Sequence, residues 1–219
     1  RVFNLEKDAL LKIHLQKLTE NKYLLIGNIH HIIFDGWSLP LLINAWFSLY
    51  ETLISDKNKE TDIQVVQYSD YAIWQRKSEY FIEKKDLLFW QNEIETEFKP
   101  LLQYDYPKVN DLPLDSQVIH ITLTDELFEK IKQFNKQTNS TLFISLLSAF
   151  QTFLSVYYDE EKIVIGSPVA KRNHPNIEKT IGYFVNTLPF KAAVEKNESF
   201  ISFVNRNIKA VSDVLAHQH

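Results

Sequence analysis

Two adjacent histidines at the end of an apolar run constrain this chain more than any other feature. The run from Tyr23 to Ile29 is short and aliphatic, and this predicts a strand that continues into His30 and His31. An Asp-Gly pair, Asp35 and Gly36, follows four residues after the second histidine. Imidazole groups titrate near neutral pH. The stretch therefore combines an apolar segment, of the kind that is usually buried, with side chains that can exchange protons near neutral pH.

The strand geometry predicts different environments for the two histidines. Successive side chains along a strand point to opposite faces, so His30 and His31 are expected on opposite sides. A strand that stays extended to Asp35 places its carboxylate about 13 Å from His31, too far for a hydrogen bond. We therefore expect a structural role for Asp35. Two adjacent histidines on a strand also cannot both face one ion, so no metal site is predicted here.

Periodicity and turn signals predict the other elements. A strand over 10–18 is joined to the histidine strand by a hairpin-like turn. Further strands are expected at 117–123, at 162–170 and around Asn186. Helices are expected at 38–55, from 68 to about 95, from Thr124 onward, at 141–158 and at 199–215. The helix at 141–158 is nearly all apolar, so it is predicted to be buried.

Helices alternate with strands, so the fold class is predicted as α/β or α+β. The stretch 99–114 contains three prolines and little periodicity, which favours a linker. The predicted organisation is therefore a first lobe at 1–98, an inter-lobe linker at 99–114 and a second lobe at 115–219.

Composition narrows the class of protein. The formal charge is −4 with 24 basic and 28 acidic residues, which argues against nucleic acid or an anionic membrane as the main partner. Zero cysteines exclude disulfides, thiol nucleophiles and cysteine-bound metals, so the cytoplasm is the expected location. The chain has no methionine and begins at Arg1, from which we expect a fragment of a longer polypeptide.

Three sequence blocks occur in order: His-His-x-x-x-Asp-Gly at 30–36, Tyr-x-Asp-Tyr-Ala-x-Trp at 68–74 and Ile-Gly-x-Phe-Val-Asn-Thr-Leu at 181–188. Together they resemble the condensation domains of nonribosomal peptide synthetases, in the superfamily that includes chloramphenicol acetyltransferase. The resemblance spans essentially the whole chain. It implies a chloramphenicol acetyltransferase-like two-lobed sandwich, of which this chain would contain part of each lobe.

The resemblance also implies a reaction. A condensation domain is an acyltransferase that joins a donor acyl or peptidyl thioester to the amine of an acceptor aminoacyl thioester. The expected partners are an upstream donor carrier protein, a downstream acceptor carrier protein and an adjacent adenylation domain. No cofactor is expected on the domain itself, since the phosphopantetheine arms belong to the carrier proteins. The setting is antibiotic or other secondary metabolite synthesis by a multidomain synthetase, and this fragment alone is expected to be inactive.

Candidate catalytic residues follow from that reaction. His31 could act as a base, position the amine or stabilise the tetrahedral intermediate. The backbone N–H of Gly36 is a candidate oxyanion donor because glycine permits close approach. His30 is expected to be structural.

Three further residues are candidates for the walls of a substrate channel: Trp37, Ser38 and Asn186. Asn186 is a lone polar residue in an apolar strand. It either satisfies backbone groups at a sheet edge or lines a channel between the lobes, and the sequence favours neither.

A carboxylate beside Phe34 and Trp37 is expected to be partly buried, and it cannot stay ionised there without a cation. Arginine is the expected type of partner, since it keeps its charge when it loses water. Arg172 is the predicted residue because it lies between the strand at 162–170 and the block at 181–188, and the family resemblance also implies a salt bridge from the motif aspartate to an arginine of the second lobe. Arg76 and Arg206 are the alternatives.

Two other functions stay open. An epimerization domain shares the two-histidine motif, although the Phe-Val-Asn-Thr-Leu block favours condensation. The second alternative is a catalytically inert domain that keeps the fold and recruits partner proteins.

Overall fold

The computed structural model describes residues 3–55, 66–78, 84–94, 101–102, 105, 117–172 and 174–218. Two strands come first, β1 (Leu11–Thr19) and β2 (Lys22–Ile29), followed by a 3₁₀ turn at His31–Ile33. The remaining elements, in chain order, are α1 (Ser38–Ile54), α2 (Tyr68–Ser78), α3 (Lys84–Glu93), α4 (Asp125–Thr138), α5 (Leu142–Tyr158), β3 (Lys162–Ala170), α6 (Pro175–Glu178), β4 (Val185–Ala193) and α7 (Phe200–Ala216).

The strands form two separate pairs in the described part of the chain. β1 and β2 are antiparallel, with Leu11 opposite Ile29 and Leu15 opposite Leu25. β3 pairs with β4. The predicted strands at 10–18 and 162–170 and the hairpin turn are confirmed.

Two helices begin at capping side chains. The Thr124 hydroxyl accepts a hydrogen bond from the Leu127 N–H at 3.3 Å, and α4 begins at the next residue. The Ser199 hydroxyl does the same for the Ser202 N–H at 3.2 Å at the start of α7. Such caps satisfy N–H groups that have no partner inside the helix. The helices predicted at 38–55, from Thr124 and at 199–215 are confirmed.

The strand predicted at 117–123 is not present in the structure. Residues 117–124 contain no strand, and Ile119 and Ile121 are 85% and 84% exposed. A strand needs a neighbour for its backbone hydrogen bonds, and none of the described segments supplies one there. The helical stretch predicted from 68 to about 95 is confirmed over α2 and α3, and residues 79–83 lie outside the described part.

The helix α5 forms as predicted, but it is not buried on all sides. It packs against α4 and α7. The side chains that it buries are Ile144, Ser145, Leu147, Ser148, Gln151 and Ser155, whereas Leu146, Phe150, Phe153 and Val156 are exposed. The prediction of a fully buried helix was wrong because an apolar face is buried only where a neighbouring element packs against it.

The chain forms two compact units, each composed of two segments. The first contains Arg1–Ile82 and Pro168–Thr187, and the second contains Glu83–Ser167 and Leu188–His219. The lobes predicted at 1–98 and 115–219 stay a prediction, because most of the linker at 99–114 lies outside the described residues. The candidate site lies in the first unit, so Pro168–Thr187 belongs to the same compact unit as the two histidines.

None of the described helices is by itself long and apolar enough to cross a membrane. The helices α4 and α5 reach the required length and composition only as a pair, and the pair is bent by 101°.

Candidate active site

The two histidines lie in a turn and not in a continuing strand. β2 ends at Ile29, and the Nδ1 atom of His30 accepts a hydrogen bond from the Ile32 N–H at 3.0 Å. This side-chain cap starts the 3₁₀ turn at His31. The predicted extended path from His31 to Asp35 is therefore wrong, and the 13 Å separation based on it does not apply.

His30 is held on two sides. Its backbone N–H donates to the Leu10 carbonyl at 2.9 Å, and its ring contacts the Phe3 ring edge-on with the centroids 5.5 Å apart. Together with the cap on Ile32, these contacts agree with the structural role predicted for His30.

His31 has a different environment. Its side chain is exposed, and its ring contacts the Tyr183 ring with the centroids 5.5 Å apart and the planes at 78°. Among the described residues, no hydrogen bond holds the imidazole. His31 therefore presents its nitrogens to solvent or to a substrate.

Asp35 and Arg172 form the buried ion pair that the sequence predicted. The Arg172 side chain is 2% exposed and that of Asp35 is 1% exposed. One guanidinium nitrogen, Nη2, donates to both carboxylate oxygens, at 3.0 Å and 3.1 Å. Arg206, one of the alternatives, pairs with Glu198 instead. The predicted ion pair is thus present in the structure, and the structural role assigned to Asp35 stays a prediction.

Arg172 also organises the loop that follows it. Its Nη1 atom donates to the carbonyl oxygens of Ile177 at 2.8 Å and Thr180 at 2.6 Å, and the guanidinium lies 4.1 Å from the centre of the Phe184 ring. Its Nε atom is buried without a hydrogen-bond partner in the described part of the chain. One arginine thus ties α6 and the residues before β4 to the carboxylate of Asp35.

Ser38 completes the network and differs from its predicted placement. We predicted a channel-lining residue, but the side chain is fully buried, with 0% exposure. Its hydroxyl lies within hydrogen-bond distance of an Asp35 oxygen at 2.7 Å and the Gly182 carbonyl at 3.0 Å, and it accepts from Arg172 and from the Gly182 N–H. The hydroxyl has one proton to donate, so it serves one of these two acceptors at a time.

The same carboxylate caps α1. The Ser38 N–H donates to Asp35 at 2.9 Å, at the first residue of the helix. A negative charge at this end is favourable because the free N–H groups of a helix start carry partial positive charge. The Phe184 N–H also donates to Asp35, at 3.1 Å. The carboxylate therefore accepts hydrogen bonds from three different segments.

Burial alone would raise the pKa of Asp35, because it disfavours the charged form. The hydrogen bonds from Phe184 and Ser38, together with the charge of Arg172, outweigh this cost and hold the pKa below the ordinary value of 3.8. The carboxylate is therefore ionised at neutral pH, as the ion pair requires.

The lowered pKa predicts acid-sensitive stability. The unfolded chain takes up a proton on Asp35 near pH 3.8, whereas the folded chain does so only at a lower pH. The contribution of Asp35 is thus complete well above pH 3.8 and is lost as the pH falls through 3.8 towards the folded-state pKa. In that window one proton changes the free energy of unfolding by about 1.4 kcal/mol per pH unit. Urea denaturation from pH 6 to below pH 3 should show a fall in the free energy of unfolding that begins near pH 3.8, and this fall should be smaller in Asp35→Asn.

Residue 182 must be glycine because its backbone lies against the ring of Tyr68. It is buried, and a Cβ atom placed on it would overlap the Tyr68 ring, lying 2.8 Å from Cγ. Tyr68 cannot move freely, because its hydroxyl donates to the Tyr183 carbonyl at 2.8 Å and its ring packs edge-on against Phe184. The glycine thus allows the 181–188 block to approach α2.

This contact predicts that Gly182→Ala lowers the free energy of unfolding by about 1–3 kcal/mol, the usual cost of overpacking. Chemical denaturation measures the change. Gly27→Ala is the matched control, since a Cβ atom there meets nothing within 4 Å. A Gly182→Ala protein as stable as the wild type would show that Tyr68 yields to the extra methyl group.

The other predicted site residues occupy mixed positions. Gly36 is exposed with open space around it, so close approach of protein atoms does not explain this glycine. Trp37 is 51% exposed, and its indole N–H donates to the Glu178 carbonyl at 3.0 Å. Asn186 is half-buried in β4, and its side-chain oxygen accepts from the Thr187 N–H at 2.9 Å. That bond fits a backbone-satisfying role for Asn186, and the channel role stays a prediction.

Sequence reasoning missed the parts played by Ser38, Gly182, Tyr68 and Tyr183. Three of them lie inside the three sequence blocks, and Ser38 follows the first block by two residues. Their place in or beside these blocks was the feature of the sequence that could have pointed to them. Among the described residues, no group of three or more histidine, aspartate or glutamate side chains could hold a metal ion.

Comparison with known proteins places the whole chain in one family. The family model of the condensation domain matches residues 1–219. Surfactin synthase subunit 1 from Bacillus subtilis (strain 168) is 34% identical over 100% of the chain, and tyrocidine synthase 3 from Brevibacillus parabrevis is 34% identical over 92%. The chain spans only 6% and 3% of the lengths of these two synthases.

Solved structures with the same fold include condensation and epimerization domains. The four-domain nonribosomal peptide synthetase holo-AB3403 matches 99% of the chain and 16% of its own length, with a TM-score of 0.81 at 24% identity. The first condensation domain of the calcium-dependent antibiotic (CDA) synthetase matches 95% of the chain and 46% of its own length, with a TM-score of 0.76 at 22% identity. The epimerization domain from the third module of a tyrocidine synthetase matches 96% and 51%, with a TM-score of 0.75 at 19% identity.

These structural matches confirm the predicted chloramphenicol acetyltransferase-like architecture, of which the chain covers about half a domain. The ordered motifs, the ion pair that ties the first of them to Arg172, and the match over residues 1–219 agree. The chain belongs to the condensation-domain family of nonribosomal peptide synthetases.

Proposed function

We propose that this chain carries the site at which a donor acyl or peptidyl thioester is joined to the amine of an acceptor aminoacyl thioester. Both substrates would be presented on phosphopantetheine arms of carrier proteins, with an adenylation domain in the same synthetase. The single observation that carries the proposal is the exposed imidazole of His31 next to a fully ion-paired and buried Asp35. The arrangement leaves the His31 imidazole accessible and fixes the residues around it.

The chemistry needs no nucleophile from the enzyme, because the thioester is already activated. The acceptor amine attacks the thioester carbonyl, a C–N bond forms, the C–S bond breaks, and the thiol leaves with a proton. His31 would accept a proton from the attacking nitrogen, position that nitrogen or stabilise the tetrahedral intermediate. The N–H of Gly36, which is exposed, is the proposed donor to the developing oxyanion.

No metal ion and no nucleotide enter this mechanism. The absence of a cofactor and the cytoplasmic location remain predictions from the sequence. Activity is proposed for the full-length protein, since holding two arms in a water-excluding site requires more surface than this chain supplies.

The test uses the full-length protein with a donor thioester on one carrier protein and an aminoacyl thioester on the other. Intact-mass spectrometry of the acceptor carrier protein should show the added donor mass. Exchange of the Cα hydrogen in deuterated buffer without amide formation would favour the epimerization alternative, whose fold this chain shares. Stable binding of both carrier proteins with neither reaction would favour the inert recruiting domain.

A further inference from the structure

The side chain against His31 belongs to Tyr183, a residue with no assigned role in the proposed reaction. We infer that Tyr183 is a positioning residue that fixes the plane of the His31 imidazole. The inference rests on the proposed function, because it assigns Tyr183 a part in the chemistry of His31. It does not involve the phenol hydroxyl, so the contact between the two rings is the feature to be tested.

The first support is that the backbone around Tyr183 is fixed on both sides. The N–H of Gly182 donates to the Ser38 hydroxyl at 3.1 Å, and the N–H of Phe184 donates to Asp35 at 3.1 Å. The carbonyl of Tyr183 itself accepts from the Tyr68 hydroxyl at 2.8 Å. Three consecutive residues are thus anchored, and two of the anchors lie within seven residues of His31.

The second support is that the Tyr183 ring, and not a hydrogen bond, contacts the His31 imidazole among the described residues. Asp35 is fully engaged with Arg172, Ser38 and Phe184, so it does not orient the histidine. In the described part of the chain, no other side chain or carbonyl makes a hydrogen bond to the His31 ring. The Tyr183 ring is the aromatic neighbour, with 5.5 Å between the centroids and 78° between the planes. That T-shaped geometry is the favourable one for two aromatic rings.

The anchored backbone of Tyr183 and its ring contact with His31 act together. The ion-pair network fixes the backbone on both sides of Tyr183, and the Tyr183 ring then limits the rotation of the imidazole. A base or hydrogen-bonding group must be held in its productive orientation to act in the transition state. The buried ion pair of Asp35 and Arg172 thus orients His31 indirectly, through Tyr183, and not through a hydrogen bond between the carboxylate and the imidazole.

The test compares Tyr183→Leu, which removes the ring, with Tyr183→Phe, which keeps it. Tyr183 is 37% exposed, so we expect both variants to fold with a Tm close to that of the wild type. In the full-length protein, Tyr183→Leu should lower kcat about 3- to 10-fold, the range that an aromatic pair supports, with KM for the loaded carrier proteins unchanged. Tyr183→Phe should stay within about 2-fold of the wild-type kcat. Tyr183→Met is the second ring-free variant should the leucine protein fail to fold.

A spectroscopic readout shows whether the two rings are in contact in the full-length protein, and kcat shows whether that contact positions the imidazole. In the full-length protein labelled with ¹³C at histidine Cε1, the His31 signal is assigned by its loss in His31→Ala. The signal should shift in Tyr183→Leu and stay in place in Tyr183→Phe, because the aromatic ring alone changes the local magnetic field. An unchanged kcat in Tyr183→Leu, with or without a shifted His31 signal, would overturn the inference while leaving the proposed function intact. A normal amide-forming rate in His31→Ala would instead overturn the proposed function, and this inference with it.

Discussion

Asp35→Ala is expected to lower the free energy of unfolding by about 3–5 kcal/mol. The substitution leaves the guanidinium of Arg172, 2% exposed, without its carboxylate in a site that water does not reach. It also removes the acceptor for the N–H groups of Ser38 and Phe184. An uncompensated buried charge costs far more than the ion pair itself contributes. Urea or guanidinium denaturation at neutral pH measures the loss.

A double-mutant cycle isolates the pair. Arg172→Ala alone should also be strongly destabilising, and the double substitution should cost clearly less than the sum, because the second change removes the orphaned charge. Arg206→Ala is the matched control: its ion pair with Glu198 has the arginine side chain 40% exposed, and such pairs contribute about 0–1 kcal/mol. Strictly additive losses at Asp35 and Arg172 would mean that the two residues do not act as a pair.

Local signals in the sequence predicted most helices and strands correctly, because caps and periodicity act within a few residues. The N-cap residues Thr124 and Ser199 are examples. The errors arose where a distant partner decides the outcome. The segment 117–123 has the residue types of a strand but no neighbouring strand in the described structure. The helix α5 has apolar residues on every side but a covered face on one side only.

At the candidate site, too, some features could be predicted from the sequence and others could not. The need of Asp35 for a cation was predictable, because a carboxylate beside aromatic residues cannot stay ionised in a buried site alone. The choice of Arg172 rested on its place before the 181–188 block and on the salt bridge that the family resemblance implies. The contact between Ser38 and Gly182 was not, because it joins residues 144 positions apart through a hydroxyl and a backbone amide. The turn at His31 was missed for a different reason. The His30 side chain accepts the Ile32 N–H, and this side-chain cap competes with continuation of the strand.

The second large effect is expected at His31. His31→Ala should reduce the rate of amide formation about 10²- to 10⁴-fold, the range for a general base or polar stabiliser. Its side chain is exposed, so the free energy of unfolding should change by less than about 0.5 kcal/mol. His30→Ala is the matched control with the opposite profile: losing the cap on Ile32 should cost about 0.5–2 kcal/mol of stability and leave the rate of the folded protein nearly unchanged.

The central claim is that His31 acts in amide formation while the Asp35–Arg172 pair holds the fold around it. Single-turnover amide formation between loaded donor and acceptor carrier proteins tests this most directly, because it reports on chemistry without product release. The measurement is made with full-length wild-type and His31→Ala proteins of equal Tm. A loss of about 10²-fold or more in the single-turnover rate is the predicted result. A His31→Ala protein that forms the amide at close to the wild-type rate would contradict the account.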